Sequence, residues 1–95
     1  MVKTYTKKAT KIDAIQFLYT TECIEYLKTW LGDNFINYGK ARNPDAFGWI
    51  EFWTGDPVKC YSNIAFEGDY IIKDISGKFI VIKKNIFEND HECVD

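Results

Sequence analysis

One helical stripe, in a chain otherwise made of short alternating runs, sets what this sequence can fold into. Ile24, Leu27, Trp30 and Leu31 fall at i, i+3, i+6 and i+7, one face of a helix. Thr20 and Thr21 offer N-caps, and Glu22 and Glu25 suit the positive end of the helix dipole. Gly32 tolerates the left-handed backbone that ends a helix. The pattern predicts a helix of about 11 residues, too short to be stable alone. Its apolar stripe must therefore pack on a sheet.

The remaining runs supply that sheet. Residues 10–17 predict a strand whose apolar parity changes between Ala14 and Ile15, so it is buried partly on both faces or carries a bulge. Residues 35–38 read as a short strand, followed by a loop over 39–46 with turn chemistry. In 47–53, Trp49, Glu51 and Trp53 alternate with Ile50 and Phe52, which puts the two sets on opposite faces. Gly55, Asp56 and Pro57 break that strand, and residues 58–64 pair back as its hairpin partner. Residues 66–69 form a turn, and 70–73 with 78–82 make a second hairpin. Residues 84–87 make one helical turn or a final bend, and the polar end, about 88–95, is expected to fray as an acidic tail. The expectation is a single α+β domain over residues 1–95, a twisted antiparallel sheet of about five strands with one short helix packed on one face.

Composition removes several classes. Apolar residues make up 46% of the 95, too many for a disordered chain. Three cysteines without CxxC spacing exclude a disulfide-stapled miniprotein and suit a reducing compartment. No apolar run approaches the ~18 residues of a membrane span. The opening Met1-Val2-Lys3-Thr4 lacks the apolar stretch of a signal peptide, so a cytoplasmic protein is expected, with no membrane contact. The net charge is −2, and the bases are eleven Lys and a single Arg, Arg42. Bidentate base reading needs Arg, so sequence-specific DNA binding is not expected. Residues 1–11 carry Lys3, Lys7, Lys8 and Lys11 without an acid, and 88–95 carry Glu88, Asp90, Glu92 and Asp95 without a Lys or Arg. These are two solvated ends, or two ends that lie close, or a basic end that meets a phosphate.

Candidate chemistry is sparse. His91, the sole histidine, sits in the run Asp90-His91-Glu92-Cys93, and adjacent residues rarely converge on one tetrahedral ion. Cys23 lies in the first helical turn, where the dipole would lower its pKa; the alternative is a small buried apolar residue. Asp13, Glu51 and Asp69 are spread over three predicted elements and could converge. No phosphate-loop, zinc-protease or nucleophile-elbow pattern is present, so neither an enzyme nor a cofactor is expected.

The informative feature is the aromatic surplus. Seven Phe, six Tyr and three Trp exceed what one helix over part of a sheet can hide. Lys40, Arg42, Trp49, Trp53 and Tyr61 are the candidate binding residues. A cation beside flat rings suits a protein hot spot, or a small nucleotide with Lys40 and Arg42 on phosphate and Trp49 or Tyr61 stacked on the base. The plain alternative is that Trp49 and Trp53 fill the core under the helix and the 39–46 loop merely connects. A homodimer would cover surplus rings and open sheet edges.

Three pieces of sequence carry a likeness. They are the Lys-rich opening into Ile12-Asp13-Ala14-Ile15-Gln16-Phe17, the helix that ends Leu31-Gly32-Asp33, and Gly68-Asp69-Tyr70-Ile71-Ile72-Lys73 followed by Gly77-Lys78-Phe79 and Asn85-Ile86-Phe87-Glu88. In these the chain resembles a widespread family of small phage and prophage proteins, most of them uncharacterised. The likeness covers about half of the chain and leaves out 34–64. Asp13 stands where members usually have Glu, Ile82 and Lys84 stand near a usual Cys or Pro, and His91 near a usual aromatic. No catalytic motif comes with the resemblance. It implies a phage gene product acting in a bacterial cytosol, a non-enzymatic binding protein for counter-defence or host takeover. Such a protein would sequester a nucleotide signal or block a host defence protein. The competing expectations are an assembly accessory of the phage particle and a small nucleotide-processing enzyme.

Overall fold

The computed structural model describes residues 3–7, 10–43, 45–55, 61–90 and 92–93. The expected helix is present as α1, Thr21–Leu31. Thr20 caps it, its hydroxyl accepting the Cys23 N–H at 3.2 Å. Gly32 ends it at φ +58°, where the cap N–H donates to the Lys28 carbonyl. Cys23, Ile24, Leu27 and Leu31 are its buried residues.

The strands divide into two sheets rather than one. β1 (Lys3–Lys7) and β2 (Thr10–Gln16) precede α1; β3 (Phe35–Lys40), β4 (Gly48–Trp53), β5 (Ser62–Phe66), β6 (Tyr70–Lys73) and β7 (Phe79–Ile82) follow it. A second helix, α2 (Lys84–Asp90), and a short β8 (Glu92–Cys93) close the described chain. One sheet has the order β7-β6-β2-β1-β8 and the other β3-β4-β5, with every neighbouring pair antiparallel. The α+β class holds, and the single sheet of about five strands with one helix is corrected, among the described residues, to two sheets and two α-helices. Alternation says which face a residue takes, not which strand lies beside it.

Three further differences have local causes. β1 was not expected, because Lys3-Thr4-Tyr5-Thr6-Lys7 has no apolar alternation; its strand form comes from pairing with β2, Lys3 opposite Ala14 through Lys7 opposite Thr10. The expected loop over 39–46 starts two residues later, since β3 runs on to Lys40 opposite Gly48. Residues 88–90 continue α2, and β8 pairs with β1, Tyr5 opposite Cys93 and Thr6 opposite Glu92, so the two oppositely charged ends lie side by side. Asp56 and Pro57 of the predicted break, residues 58–60 of the predicted β4 partner, Pro44 and His91 lie outside the described residues.

The parity change in β2 is real and structural. Ile15 and Phe17 join the main core with Cys23, Ile24, Leu27 and Leu31 of α1, Ile50, Phe52 and Ala65 of the small sheet, and Ile71 and Phe79. Ala14 faces the other way, into a smaller cluster with Tyr70, Ile72 and Phe87 of α2. Both faces of the larger sheet are thus covered. Among the described residues no helix is long and apolar enough to cross a membrane.

Candidate binding surface

The three-stranded sheet turns one face to the core and the other to solvent. On β4, Ile50 and Phe52 are fully buried, whereas Trp53 is 44% exposed and Trp49 half-buried. Antiparallel partners share a face, so the register assembles the outer surface. Trp49 lies opposite Phe66, Glu51 opposite Ile64, and Trp53 opposite Ser62. On the other side Gly39 lies opposite Trp49 and Asn37 opposite Glu51. Phe66 and Ile64 are exposed to a similar degree as Trp53.

Two of the rings, Trp49 and Phe66, have identifiable neighbours. Gly39 leaves the space Trp49 occupies; a Cβ there would stand 2.9 Å from the indole Cζ2. The Glu51 carboxylate accepts the Ser62 hydroxyl at 3.0 Å, leaving a single acid in the middle of the apolar face. At the far end of β5 the Lys83 ammonium stands 5.5 Å from the Phe66 ring centroid and 3.1 Å from the Asp69 carboxylate. Asp69, itself buried, also accepts the Phe66 N–H at 3.0 Å, which ties the end of β5 to the turn before β6. Gly68 makes that turn at φ +94°.

The expected site residues separate into different surroundings. Trp49 and Trp53 share the outer face. Lys40 lies opposite the buried Gly48, hence on the core side, and its ammonium sits 5.7 Å from the Tyr19 ring centroid. Arg42 is exposed in the connection beyond β3. Tyr61 accepts the Thr54 N–H at its carbonyl, at the other end of the sheet from Lys40. Six residue steps along the strand lead from Gly48 to Thr54, roughly 20 Å at the rise of a β-strand. A mononucleotide held by Lys40 cannot reach Tyr61, so these five residues do not form one pocket. Ile64 and Phe66 were missed as surface residues, although Ser62-Asn63-Ile64-Ala65-Phe66 carries the alternation that would have placed them.

The described thiol and two of the candidate carboxylates are each engaged locally. The Cys23 thiol is buried, donates to the Gln16 carbonyl at 3.5 Å and receives the Leu18 N–H at 3.4 Å. Burial pushes its pKa up, outweighing that N–H, so the structural reading of Cys23 prevails over the activated one. Glu51 is engaged with Ser62 on the outer face, and Asp69 with Phe66 and Lys83 behind β5. Among the described residues no three of His, Cys, Asp and Glu cluster to hold a metal. Comparison with protein-family models, curated proteins and solved structures returns no match.

Proposed function

We propose that this chain is a phage- or prophage-encoded binding protein, without catalytic activity, that blocks a bacterial defence protein in the host cytosol. The observation that carries the reading is the outer face of β4 and β5, where Trp53, Ile64 and Phe66 are each about half exposed on one side of one sheet. With Trp49 these leave roughly 300 Å² of apolar surface, taking 150–250 Å² for a whole aromatic side chain, within the size of functional patches on small proteins. Rings rigidly held on a sheet lose little entropy when a partner covers them. Glu51 at the centre calls for a partner whose apolar patch surrounds a Lys or Arg, because an acid covered without a counter-charge would be costly. The phage context comes from the sequence likeness, and a defence protein is the partner class it implies.

The test is plating efficiency. Wild-type protein, the double variant Trp53→Ala with Ile64→Glu, and Glu51→Lys are each expressed in bacteria carrying one defence system at a time, then challenged with a sensitive phage. Wild type restores plaques against one system, and both variants lose that rescue while keeping the wild-type circular dichroism spectrum and melting temperature. Rescue by the double variant equal to wild type, or no rescue against any system, overturns the proposal. Light scattering separates the remaining occupant of the face: a stable dimer that becomes a monomer in the double variant assigns the patch to self-association instead.

A further inference from the structure

The outer face has a shape and a charge pattern that select what can cover it. Its apolar side chains stand on two neighbouring strands, Trp49 and Trp53 on β4 and Ile64 and Phe66 on β5. The third strand, β3, adds the exposed Asn37 and a glycine, Gly39, whose place the Trp49 ring takes. Two strands side by side are about 10 Å wide. Four residue steps lead from Trp49 to Trp53, roughly 13 Å at the rise of a strand. The apolar surface is thus a strip, longer than it is wide, with Glu51 at mid-length between the two indoles.

Backbone chemistry and width decide which element lies on such a strip. An extended segment laid across a sheet face leaves its own N–H and C=O groups without partners. A second sheet covers a face with several strands, and Asn37 and Gly39 give it no apolar footing on β3. An α-helix satisfies its backbone internally, and its diameter of about 10–12 Å matches the width of the strip. About nine residues of helix span the length. Charge speaks against a second copy of this chain, because an isologous contact centred on the strip sets one Glu51 carboxylate against the other.

Glu51 also sets the chemistry at the middle of that helix. Its carboxylate accepts the Ser62 hydroxyl at 3.0 Å and has acceptor sites to spare. The Lys83 ammonium at the Phe66 end is paired with the buried Asp69 at 3.1 Å, so the complement to Glu51 has to come from the partner. Arg suits the position better than Lys: its guanidinium gives a carboxylate two parallel hydrogen bonds and stacks on indole faces. We infer that the strip receives an amphipathic helix of the partner, with an Arg at its centre and an apolar residue one turn to either side; this rests on the reading of the outer face as the contact surface. The spacing agrees, since residues four apart on a helix rise about 6 Å and each Trp lies roughly 6.6 Å along β4 from Glu51.

The test uses the full chain and side-chain-bridged helical peptides of about 16 residues, bridged because so short a helix is marginal alone. One carries Leu, Arg and Leu four positions apart; in the others Glu or Pro replaces the Arg. Fluorescence anisotropy reads affinity, and amide shifts in nitrogen-edited NMR read location. The Arg peptide binds with a dissociation constant below about 1 mM and moves the amide signals of Trp49, Glu51, Trp53 and Ile64. It binds at least about tenfold more tightly than the Glu peptide. Glu51→Lys reverses that order, and Glu51→Gln, which still offers Ser62 an acceptor, removes most of the difference. Failure of the Arg peptide to bind, equal binding of the Arg and Glu peptides, an unchanged order in Glu51→Lys, or shifts confined to other surfaces overturns the inference. So does a Pro peptide that binds as well as the Arg peptide, which gives the strip to an extended segment. A dimer that excludes the Arg peptide and dissociates in Trp53→Ala gives it to a second copy and overturns the inference too. Plaque rescue without peptide binding removes the helix and keeps the proposed function; peptide binding without rescue does the reverse.

Discussion

Replacing Phe87 with Ala tests whether the C-terminal segment is part of the folded body or a loose end. Phe87 is fully buried, stacked on Tyr70 with ring centroids 4.0 Å apart and planes 14° from parallel. It is the α2 residue in the cluster with Ala14, Tyr70 and Ile72 on the back of the larger sheet. Phe→Ala in a core costs about 3–5 kcal/mol, including the loss of a ring pair worth roughly 1 kcal/mol. This cluster is small and near the surface, where collapse around a deletion is easier, so about 3 kcal/mol is expected. A chain of this length holds only about 5–14 kcal/mol in all, and each kcal/mol moves the melting temperature by roughly 4–8 °C, so the variant should melt about 12–24 °C lower. Urea titration followed by far-ultraviolet circular dichroism gives the free energy directly. The control is the adjacent Ile86→Ala, whose side chain is 53% exposed and whose loss should cost under about 0.5 kcal/mol. A Phe87→Ala cost below about 1 kcal/mol, or equal effects at 86 and 87, would refute the assignment of α2 as the cover of that sheet face.

Trp53 is the most exposed of the three indoles, with Trp30 and Trp49 half-buried, so acrylamide should quench wild-type fluorescence readily and Trp53→Phe should remove most of the quenchable fraction; an unchanged quenching constant contradicts the outer face. Gly39→Ala puts a methyl against the Trp49 ring and should destabilise by about 1–3 kcal/mol with a red-shifted emission as the indole moves out, whereas Ala at a position without that contact would be neutral. The Ser76 hydroxyl, with the Ser76 and Lys78 N–H groups, holds Asp74 below its ordinary pKa of 3.8. A depressed carboxylate contributes stability above its unfolded value and loses it as pH falls through the folded one. Acid unfolding of Asp74→Asn, followed below pH 4, should therefore be less steep than that of wild type, and parallel curves would remove Asp74 from the account.

What could be read in advance was whatever is encoded within a few residues. The threonine caps, the Ile24-Leu27-Trp30-Leu31 spacing and Gly32 placed α1 to within about a residue at its start and at its stop, because cap, stripe and stop are all local. The hairpin of β6 and β7 followed from its turn, where Asp74 and Gly77, at φ +89°, supply the chemistry. Strand neighbours are less local, and there the reading stopped short: the pairing of β4 with the strand after it was expected and is present, but nothing in residues 35–40 states that they join that pair rather than β2 or β6. One clue was available and went unused. The parity change between Ala14 and Ile15 requires a cover on each face of the sheet that contains them, and α1 can supply only one. The second had to come from the apolar residues left after the strands were assigned, which near the end are Ile86 and Phe87.

The same accounting explains why the aromatic surplus ends up outside. The larger sheet has its front covered by α1 and the small sheet, and its back by α2. The small sheet shares that front core through Ile50, Phe52 and Ala65, and nothing described lies on its far side. Its alternating strands must then show their second set of side chains to solvent. Ser62, Glu51 and Asn37 meet that demand with polar groups. Trp49, Trp53, Ile64 and Phe66 do not; the Trp49–Phe66 pair across the strands contributes some stability, but the exposed Trp53 and Ile64 lie opposite the polar Ser62 and Glu51. Four apolar residues on a sheet face over which no described layer lies are what the proposed contact surface requires.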